Sequence, residues 1–215
     1  MEAVVDFFQY FWELRETLLR LATRHAWMSL FGVLIGTATA VPVGIFLSRR
    51  PKLSGYAIDV AGMLYTIPSL AVLGFLLPFM GLGWLPTITA LVIYSWLPVL
   101  RNTCTGIMGV DASIKEAARG MGATPFQMLI RVELPLALPI IMAAIRTVAV
   151  LTVGITTMGA LVGAGGMGEL IFQGISMMDN YLILAGTIPV SLMALFFDQI
   201  LGLLERRLQL ITGAA

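Results

Sequence analysis

The chain has 215 residues, of which 59% are apolar and a further 22 are glycine, while charged residues contribute only 12%. Ordinary soluble domains are about 45–50% apolar with glycine included, so most of this chain's apolar surface must meet lipid rather than water. The 13 basic and 12 acidic residues lack the positive balance of a nucleic-acid-binding protein, and one cysteine with one histidine excludes an internal disulfide and a His/Cys metal site.

The first 24 residues predict an amphipathic helix. Its apolar positions recur at helical spacing, and the charged residues lie off that stripe. The stripe consists of Phe7, Phe11, Leu14, Leu18 and Leu21. We expect this N-terminal segment, residues 1–26, to lie in the extracytoplasmic membrane interface and to pack on the helix bundle. Contact with a partner protein is the alternative.

Residues 27–215 are expected to form one membrane domain with five spans. A helix needs about 20 mostly apolar residues to cross the hydrocarbon core. The candidate stretches are residues 27–48, residues 60–100 divided in two by residues 81–86, residues 136–161 with Arg146 as their single charge, and residues 181–197 continuing to about residue 204. The predicted fold class is therefore an all-α polytopic membrane protein.

The distribution of lysine and arginine predicts the orientation of the spans. Basic residues concentrate in cytoplasmic loops of membrane proteins. They follow the first, third and fifth spans, as Arg49, Arg50 and Lys52, then Arg101, Lys115, Arg119 and Arg131, then Arg206 and Arg207. The loops after the second and fourth spans carry neither lysine nor arginine. We therefore expect the N-terminus outside and the C-terminus in the cytoplasm of a plasma or inner membrane.

The polar loop at residues 111–135 predicts two short helices separated by glycines. An S-x-x-E spacing and a second N-cap followed by proline and glutamine are both typical helix starts. These signals are Ser113 with Glu116, then Gly120 and Gly122, then Thr124, Pro125 and Gln127, with Pro135 as the expected end of the second helix. Short helices are marginal in water, so this pair needs a surface to pack against.

The same loop carries a spacing that resembles a known family. It is formed by Glu116, Ala117, Ala118, Gly122, Val132, Leu134 and Pro135. This is similar to the EAA signature of bacterial ABC-importer permeases, with valine where isoleucine is common. The resemblance implies a type I ABC-importer permease fold whose loop forms coupling helices docked on a separate ATPase subunit. Small residues at the docked surface allow close backbone approach, and Gly122 supplies a glycine-only turn.

No nucleotide site of its own is expected in this chain. Its lysines, Lys52 and Lys115, do not follow the glycine-rich loop of a P-loop ATPase. We therefore predict a transport subunit that is not an enzyme and has no cofactor, with ATP bound by the partner. Residues 163–168 match a dinucleotide-binding pattern, but they follow a predicted span rather than a strand. We interpret them as an extracytoplasmic glycine-rich turn.

The resemblance extends over essentially the whole chain and narrows the substrate. Residues 64–83, 94–107 and 134–148 are similar to permeases of osmoprotectant importers, which carry glycine betaine, carnitine, choline and related quaternary amines. It implies two further partners: an extracytoplasmic substrate-binding protein, and a second permease copy that is either this chain or a sister. The alternative is the permease of a methionine importer or a similar amino-acid importer, which shares the five-span plan and the loop.

Aromatic side chains are the candidates for contact with such a substrate, because a quaternary ammonium binds aromatic faces. Tyr65, Tyr94 and Trp96 are the candidate pathway residues. Arg146 would repel a cation, so we expect packing, snorkelling or bonding to carbonyls freed by prolines. A membrane enzyme is disfavoured because His25, expected outside the bundle, and Cys104 form no catalytic set. A passive channel has no use for the loop at residues 111–135.

Overall fold

A computed structural model describes residues 9–212, and side chains as far as residue 210. The described residues contain helices and turns and no strand, so the predicted all-α fold is confirmed. After a short helical stretch at residues 9–13, the helices are α1 (Arg15–Ser48), α2 (Pro51–Thr66), α3 (Ser69–Met80), α4 (Trp84–Met108), α5 (Ala112–Gly120), α6 (Pro125–Met128), a π turn (Leu129–Glu133), α7 (Leu134–Thr156), a 3-10 segment (Thr157–Val162), α8 (Gly168–Met177) and α9 (Asn180–Thr212).

Several of these helices have the length and composition of membrane spans. Within the described residues, three segments qualify individually: Arg15–Ser48, Pro125–Val162 and Asn180–Leu210. The pair α2 and α3 gives a fourth crossing if the two helices are taken together. Helix α4 has 25 residues but is not among these segments. The chain is a multi-pass membrane protein, and the count of five spans stays a prediction.

Helix α1 differs from the expected division at residue 26. It runs without a break for 34 residues, so the part of the N-terminal segment from Arg15 onward and the first span are one helix. No proline or glycine lies between Arg15 and Phe31, and an established helix propagates through such a stretch. Leu18 and Leu21 of the predicted stripe are buried against α8 and α9. Phe7 lies outside the described residues.

Helices α1 and α4 pack closely against each other. A Cβ atom added at a glycine of α1 would meet an α4 side-chain Cβ at 2.6 Å for Gly32 and Leu91, 2.5 Å for Gly36 and Ser95, and 2.7 Å for Gly44 and Thr103. Small residues at a membrane helix interface allow the backbones to approach in this way. The serine and threonine hydroxyls bond carbonyls of their own helix at 2.7 Å. This interface therefore has no room for a larger side chain on α1.

Helices α2 and α3 form a bent arm beside this core. The predicted second span is in fact two helices at 93°, because Ile67 is extended before Pro68 and cannot continue the helix. Its two helices pack differently: α2 buries only Ser54 and Ala61 among its 16 residues, whereas α3 buries Val72, Leu73 and Leu76 against the core. The hydroxyl of Tyr94 on α4 donates to the carbonyl of Ile67, which the break leaves without a helical partner. The break is thus anchored to the core.

The glycine-rich turn closes over the first half of α1. Gly163, Gly165 and Gly166 have φ values of 73°, 82° and 85°. A Cβ at Gly166 would lie 3.2 Å from Nδ1 of His25, so the turn approaches α1 closely. His25 itself is fully buried, and its Nε2 donates to the carbonyl of Val153 at 2.9 Å. The expectation that His25 lies outside the bundle is therefore wrong.

Candidate functional site

The loop at residues 111–135 begins with helix α5, whose N-cap is Asp111. Its carboxylate accepts a hydrogen bond from the backbone N–H of Ser113 at 2.7 Å. Hydrogen bonding from the Ser113 side chain and backbone lowers the pKa of the Asp111 carboxyl, because it favours the ionised form. The predicted capping box of Ser113 with Glu116 is wrong, since the helix already includes Ala112. Aspartate and serine are comparable N-caps, and the earlier residue takes the position.

The chain reverses between the two helices at Gly122. Its φ of +83° confirms the predicted glycine turn, and no heavy atom of the described residues lies within 4 Å of an added Cβ. The backbone, not lack of room, requires glycine here. The second capping box is confirmed: Gln127 N donates to Thr124 Oγ1 at 3.3 Å, and Thr124 N donates to Gln127 Oε1 at 2.9 Å.

The EAA-like residues are split between the surface and the interior of the loop. Glu116, Ala117 and Gly122 are exposed, Ala118 is buried, and Val132, Leu134 and Pro135 are partly buried. Large apolar side chains stand exposed around them, namely Ile114, Met121, Phe126 and Ile130, with Met121 83% exposed. Exposed apolar side chains clustered on an otherwise polar loop mark a contact surface for another protein.

The second loop helix does not end at Pro135 as expected. Helix α6 continues through the π turn into α7, and Pro135 lies in the first turn of α7. Proline has no backbone N–H, so the helical hydrogen bond at Pro135 is missing where the π turn passes into α7. The widened turn is closed by Leu134 N bonding to the carbonyl of Leu129. Loop and span are therefore one continuous segment, Pro125–Val162, of 38 residues.

An ion pair that the sequence does not signal lies at this π turn. Glu133 is buried, with a side-chain exposure of 2%, and its carboxylate is held by both terminal nitrogens of Arg49. The Nη1–Oε1 distance is 3.0 Å. The two residues are 84 positions apart and belong to no local motif, so only the preference of a buried acid for a cation could have suggested the pairing.

Arg146 makes a second ion-pair network, between α7 and α9. Its Nε and Nη2 donate to Asp198 at 2.6 and 2.8 Å, and its Nη1 donates to Glu205 at 3.2 Å. The two acids are seven residues apart and share one face of α9. Arg146 therefore binds two carboxylates, in place of the expected packing, snorkelling or bonding to freed carbonyls. We call this network of Arg146, Asp198 and Glu205 the clamp. A polar notch of 300 Å³ adjoins it.

The structure brings together two of the three candidate pathway aromatics. The rings of Tyr65 and Tyr94 are 5.7 Å apart and inclined by 63°. Trp96 instead donates its indole N–H to Thr39 at 3.0 Å. It also lines an apolar cleft of 570 Å³ between α1, α2 and α4, to which Tyr56 contributes. The structure thus pairs Tyr65 with Tyr94 and places Trp96 at the cleft beside α2.

Long apolar helices, charges held in pairs and an exposed loop with the EAA spacing define a class, the multi-pass permease subunit of a membrane transport system. The family of binding-protein-dependent transport system inner membrane components matches residues 29–210. The chain belongs to this family.

Curated relatives match this chain over nearly its full length. The carnitine transport permease protein OpuCB of Listeria monocytogenes is 46% identical over 208 residues, covering 97% of this chain and 94% of the relative. The choline transport system permease protein OpuBB of Bacillus subtilis (strain 168) is 42% identical over 191 residues, covering 89% and 88%. The glycine betaine/carnitine/choline permease OpuCB of the same species is 41% identical, covering 88% of each chain.

Solved structures share the fold at lower identity. An inward-facing structure of the methionine ABC transporter MetNI aligns with a TM-score of 0.82 at 24% identity, covering 91% of this chain and 98% of that chain. An amino acid ABC transporter crystallised with histidines aligns with a TM-score of 0.74 at 21% identity, covering 93% and 98%. These likenesses support the ABC-importer permease fold.

Proposed function

We propose that this chain is the transmembrane permease subunit of an ABC importer for osmoprotectants such as glycine betaine, carnitine or choline. The observation that carries the proposal is the set of relatives at 41–46% identity, each named for transport of one or more of these quaternary amines. The methionine alternative is less well supported, because its solved relative is 24% identical and supports the fold alone.

In this proposal ATP is hydrolysed by a separate subunit that docks on the loop at residues 111–135. The exposed apolar side chains beside Glu116 and Ala117, with Met121 and Phe126 the most exposed, support a protein contact there. The continuous helix from Pro125 to Thr156 gives such a contact a direct route into the membrane. Rigid-body motion of a docked subunit passes through elements of this kind.

Five crossings with the N-terminus outside complete the proposed topology. Helix α4 supplies the fifth, since 25 residues extend about 37 Å at 1.5 Å per residue and the hydrocarbon core is about 30 Å thick. This arrangement puts the basic residues that follow α1, α4 and the last span on the cytoplasmic side, as the positive-inside rule requires. The same side then carries the loop at residues 111–135.

The proposed substrate pathway follows the bent arm. A quaternary ammonium has no N–H to donate and binds aromatic faces, and Tyr65, Tyr94 and Trp96 present such faces where α2 meets α4. A second permease copy, either this chain or a sister, completes the pathway. An extracytoplasmic binding protein delivers the substrate to it.

Uptake of labelled glycine betaine tests the proposal, with choline, carnitine and methionine as unlabelled competitors. The host lacks its own betaine importers and expresses this chain with its ATPase and binding protein. We expect uptake that choline or carnitine suppresses and methionine does not. Suppression by methionine alone would transfer the substrate to the amino-acid alternative. Absence of uptake of labelled glycine betaine, and of labelled choline and carnitine assayed in the same way, would contradict the proposed importer.

Gly122→Trp tests the docking part of the proposal separately. Because Gly122 has open space around it and a positive φ, the bulky variant distorts the contact surface without affecting the core. We expect uptake to be lost at normal membrane expression. Gly81→Trp is the matched control, since it adds the same bulk at another open glycine with positive φ that lies outside the loop. Normal uptake by Gly122→Trp would contradict ATPase docking at this loop.

A further inference from the structure

Glu133 is an unusual residue to find in the interior of this protein. It has 1% residue exposure, and among the described residues its carboxylate bonds only to Arg49. Removing a carboxylate from water is costly, and a single ion pair recovers that cost only with good geometry and does not add much stability. An ion pair between a buried carboxylate and the half-exposed guanidinium of Arg49 therefore serves better to fix position than to stabilise the fold.

The helix around Glu133 is also irregular. Leu129–Glu133 forms a π turn, which holds one more residue than an α-helical turn and re-aims the side chains that follow. Such turns occur frequently at functional sites. Here the turn lies where the loop passes into α7, so any displacement of α6 must pass through it. Glu133 is its last residue.

Arg49, the partner of Glu133, lies in the short corner between two helices. Helix α1 ends at Ser48 and α2 begins at Pro51, so Arg49 and Arg50 form the whole connection. A cleft of 230 Å³ joins Arg49 to the loop, with Arg119 and Pro125 among its lining residues. Beyond the corner, α2 has few buried residues to hold it in place.

We propose that the Arg49–Glu133 ion pair is the joint that transmits movement of the loop at residues 111–135 to the corner of α1 and α2, and so to the bent arm. Both are positioning residues: they act on the pathway through the helices they connect. The bidentate pair holds the guanidinium and carboxylate planes in register, so that α6 cannot shift without carrying the corner with it. This inference rests on the proposed function and adds the route by which the loop moves α2.

The test uses the complete importer, with its ATPase and binding protein, reconstituted in liposomes. Uptake and ATP hydrolysis are measured together for the wild type and for Glu133→Gln. This variant keeps the shape of the side chain and removes its charge. We expect ATP hydrolysis within about twofold of the wild type, and solute imported per ATP to fall by between about 2-fold and 30-fold. A merely structural role would lower both rates together, in proportion to the amount of assembled complex.

Two further variants keep the inference testable if Glu133→Gln assembles poorly. The charge exchange Arg49→Glu with Glu133→Arg should import more solute per ATP than either single reversal, because it restores attraction between the positions. Arg50→Gln is the matched control. It removes the same charge at the same corner, but Arg50 lies over the ring of Phe46 and makes no ion pair among the described residues. It should retain the wild-type ratio.

The inference would be overturned by a wild-type ratio in Glu133→Gln, or by an exchange variant no better than the single reversals. Equal losses of ATP hydrolysis and uptake at full assembly would also contradict it. None of these results affects the proposed function, which depends on the wild-type complex. A wild-type complex that imports no quaternary amine would contradict the proposed function instead.

Discussion

The core built on α1 and α4 and helix α2 of the bent arm are packed in opposite ways. On α1, twelve residues are buried, including three glycines that bring its backbone against α4. On α2, two residues are buried, and an added Cβ at Gly55 or Gly62 would meet no atom within 4 Å. The same hydrophobic composition thus gives one region that cannot shift without clashes and another that has few contacts to lose.

This difference in packing distinguishes the helices that stay fixed in a transporter from those that are able to move. Packed helix interfaces change between discrete arrangements, whereas a helix with few buried contacts moves at lower cost. The arm is tied to the rest of the described chain at identifiable points, including the Arg49 corner and the bond from Tyr94 to Ile67. Variants that disturb the packing of α1 against α4, or that remove a contact holding the arm, test this comparison directly.

The largest effect is expected from Gly36→Leu. The new side chain would begin 2.5 Å from the Cβ of Ser95, so α1 and α4 must separate. Overpacking of this kind destabilises by roughly 1–3 kcal/mol or more. Cys104, the single cysteine, is fully buried, so its labelling by a thiol reagent during heating in detergent reports loss of the core. We expect labelling at a clearly lower temperature than in the wild type.

Gly62→Leu is the paired variant on the arm. Its Cβ enters open space, and leucine favours helix more than glycine does. We therefore expect Cys104 labelling to begin at the wild-type temperature or above it. If Gly62→Leu lowered that temperature as much as Gly36→Leu, the contrast between a close-packed core and a loosely packed α2 would be wrong.

A smaller effect is expected from Arg146→Gln, which opens the clamp between α7 and α9. The substitution leaves Asp198 and Glu205 on one face of α9 without their cation. The two carboxylates then lose their attraction to α7 and are better solvated in water, so α9 separates from α7 more readily. Limited proteolysis at the C-terminal part of α9 should become faster. Arg206→Gln, one residue beyond Glu205, removes the same charge without breaking an ion pair in the described residues and should leave proteolysis unchanged.

How far the sequence predicts this molecule depends on the range of the interactions. The capping box of Thr124 with Gln127 and the turn at Gly122 are confirmed, because each is specified within four residues. The break at Pro68 has a local cause as well, the restriction on the residue before proline. Its 93° angle does not, since tertiary contacts such as the one from Tyr94 help to fix it.

The ion pairs mark where prediction from the sequence stops. Arg146 and Asp198 are 52 residues apart, and Arg49 and Glu133 are 84 apart, so no periodicity or spacing links them. The continuity of α1 is missed for a different reason. Charges at Arg15, Arg20 and Arg24 indicate the end of a lipid-buried stretch, but they do not stop a helix, which extends beyond the membrane where no residue breaks it.

The smallest effect is expected from Tyr94→Phe, which detaches the arm while leaving the core intact. The variant leaves the carbonyl of Ile67 without its donor, and loss of one hydrogen bond costs about 1 kcal/mol. Because the ring still packs against Tyr65, Cys104 labelling should shift only slightly. A spin label attached to Met63→Cys, in a background that carries Cys104→Ala, reports the motion of the arm. We expect its electron paramagnetic resonance lines to be narrower with Tyr94→Phe than without it, which means that the arm moves faster. Tyr65→Phe is the control, because it removes a hydroxyl with no protein hydrogen bond among the described residues, and it should leave the spin-label lines unchanged. Equal narrowing in both variants would show that the Tyr94 hydroxyl does not anchor the break.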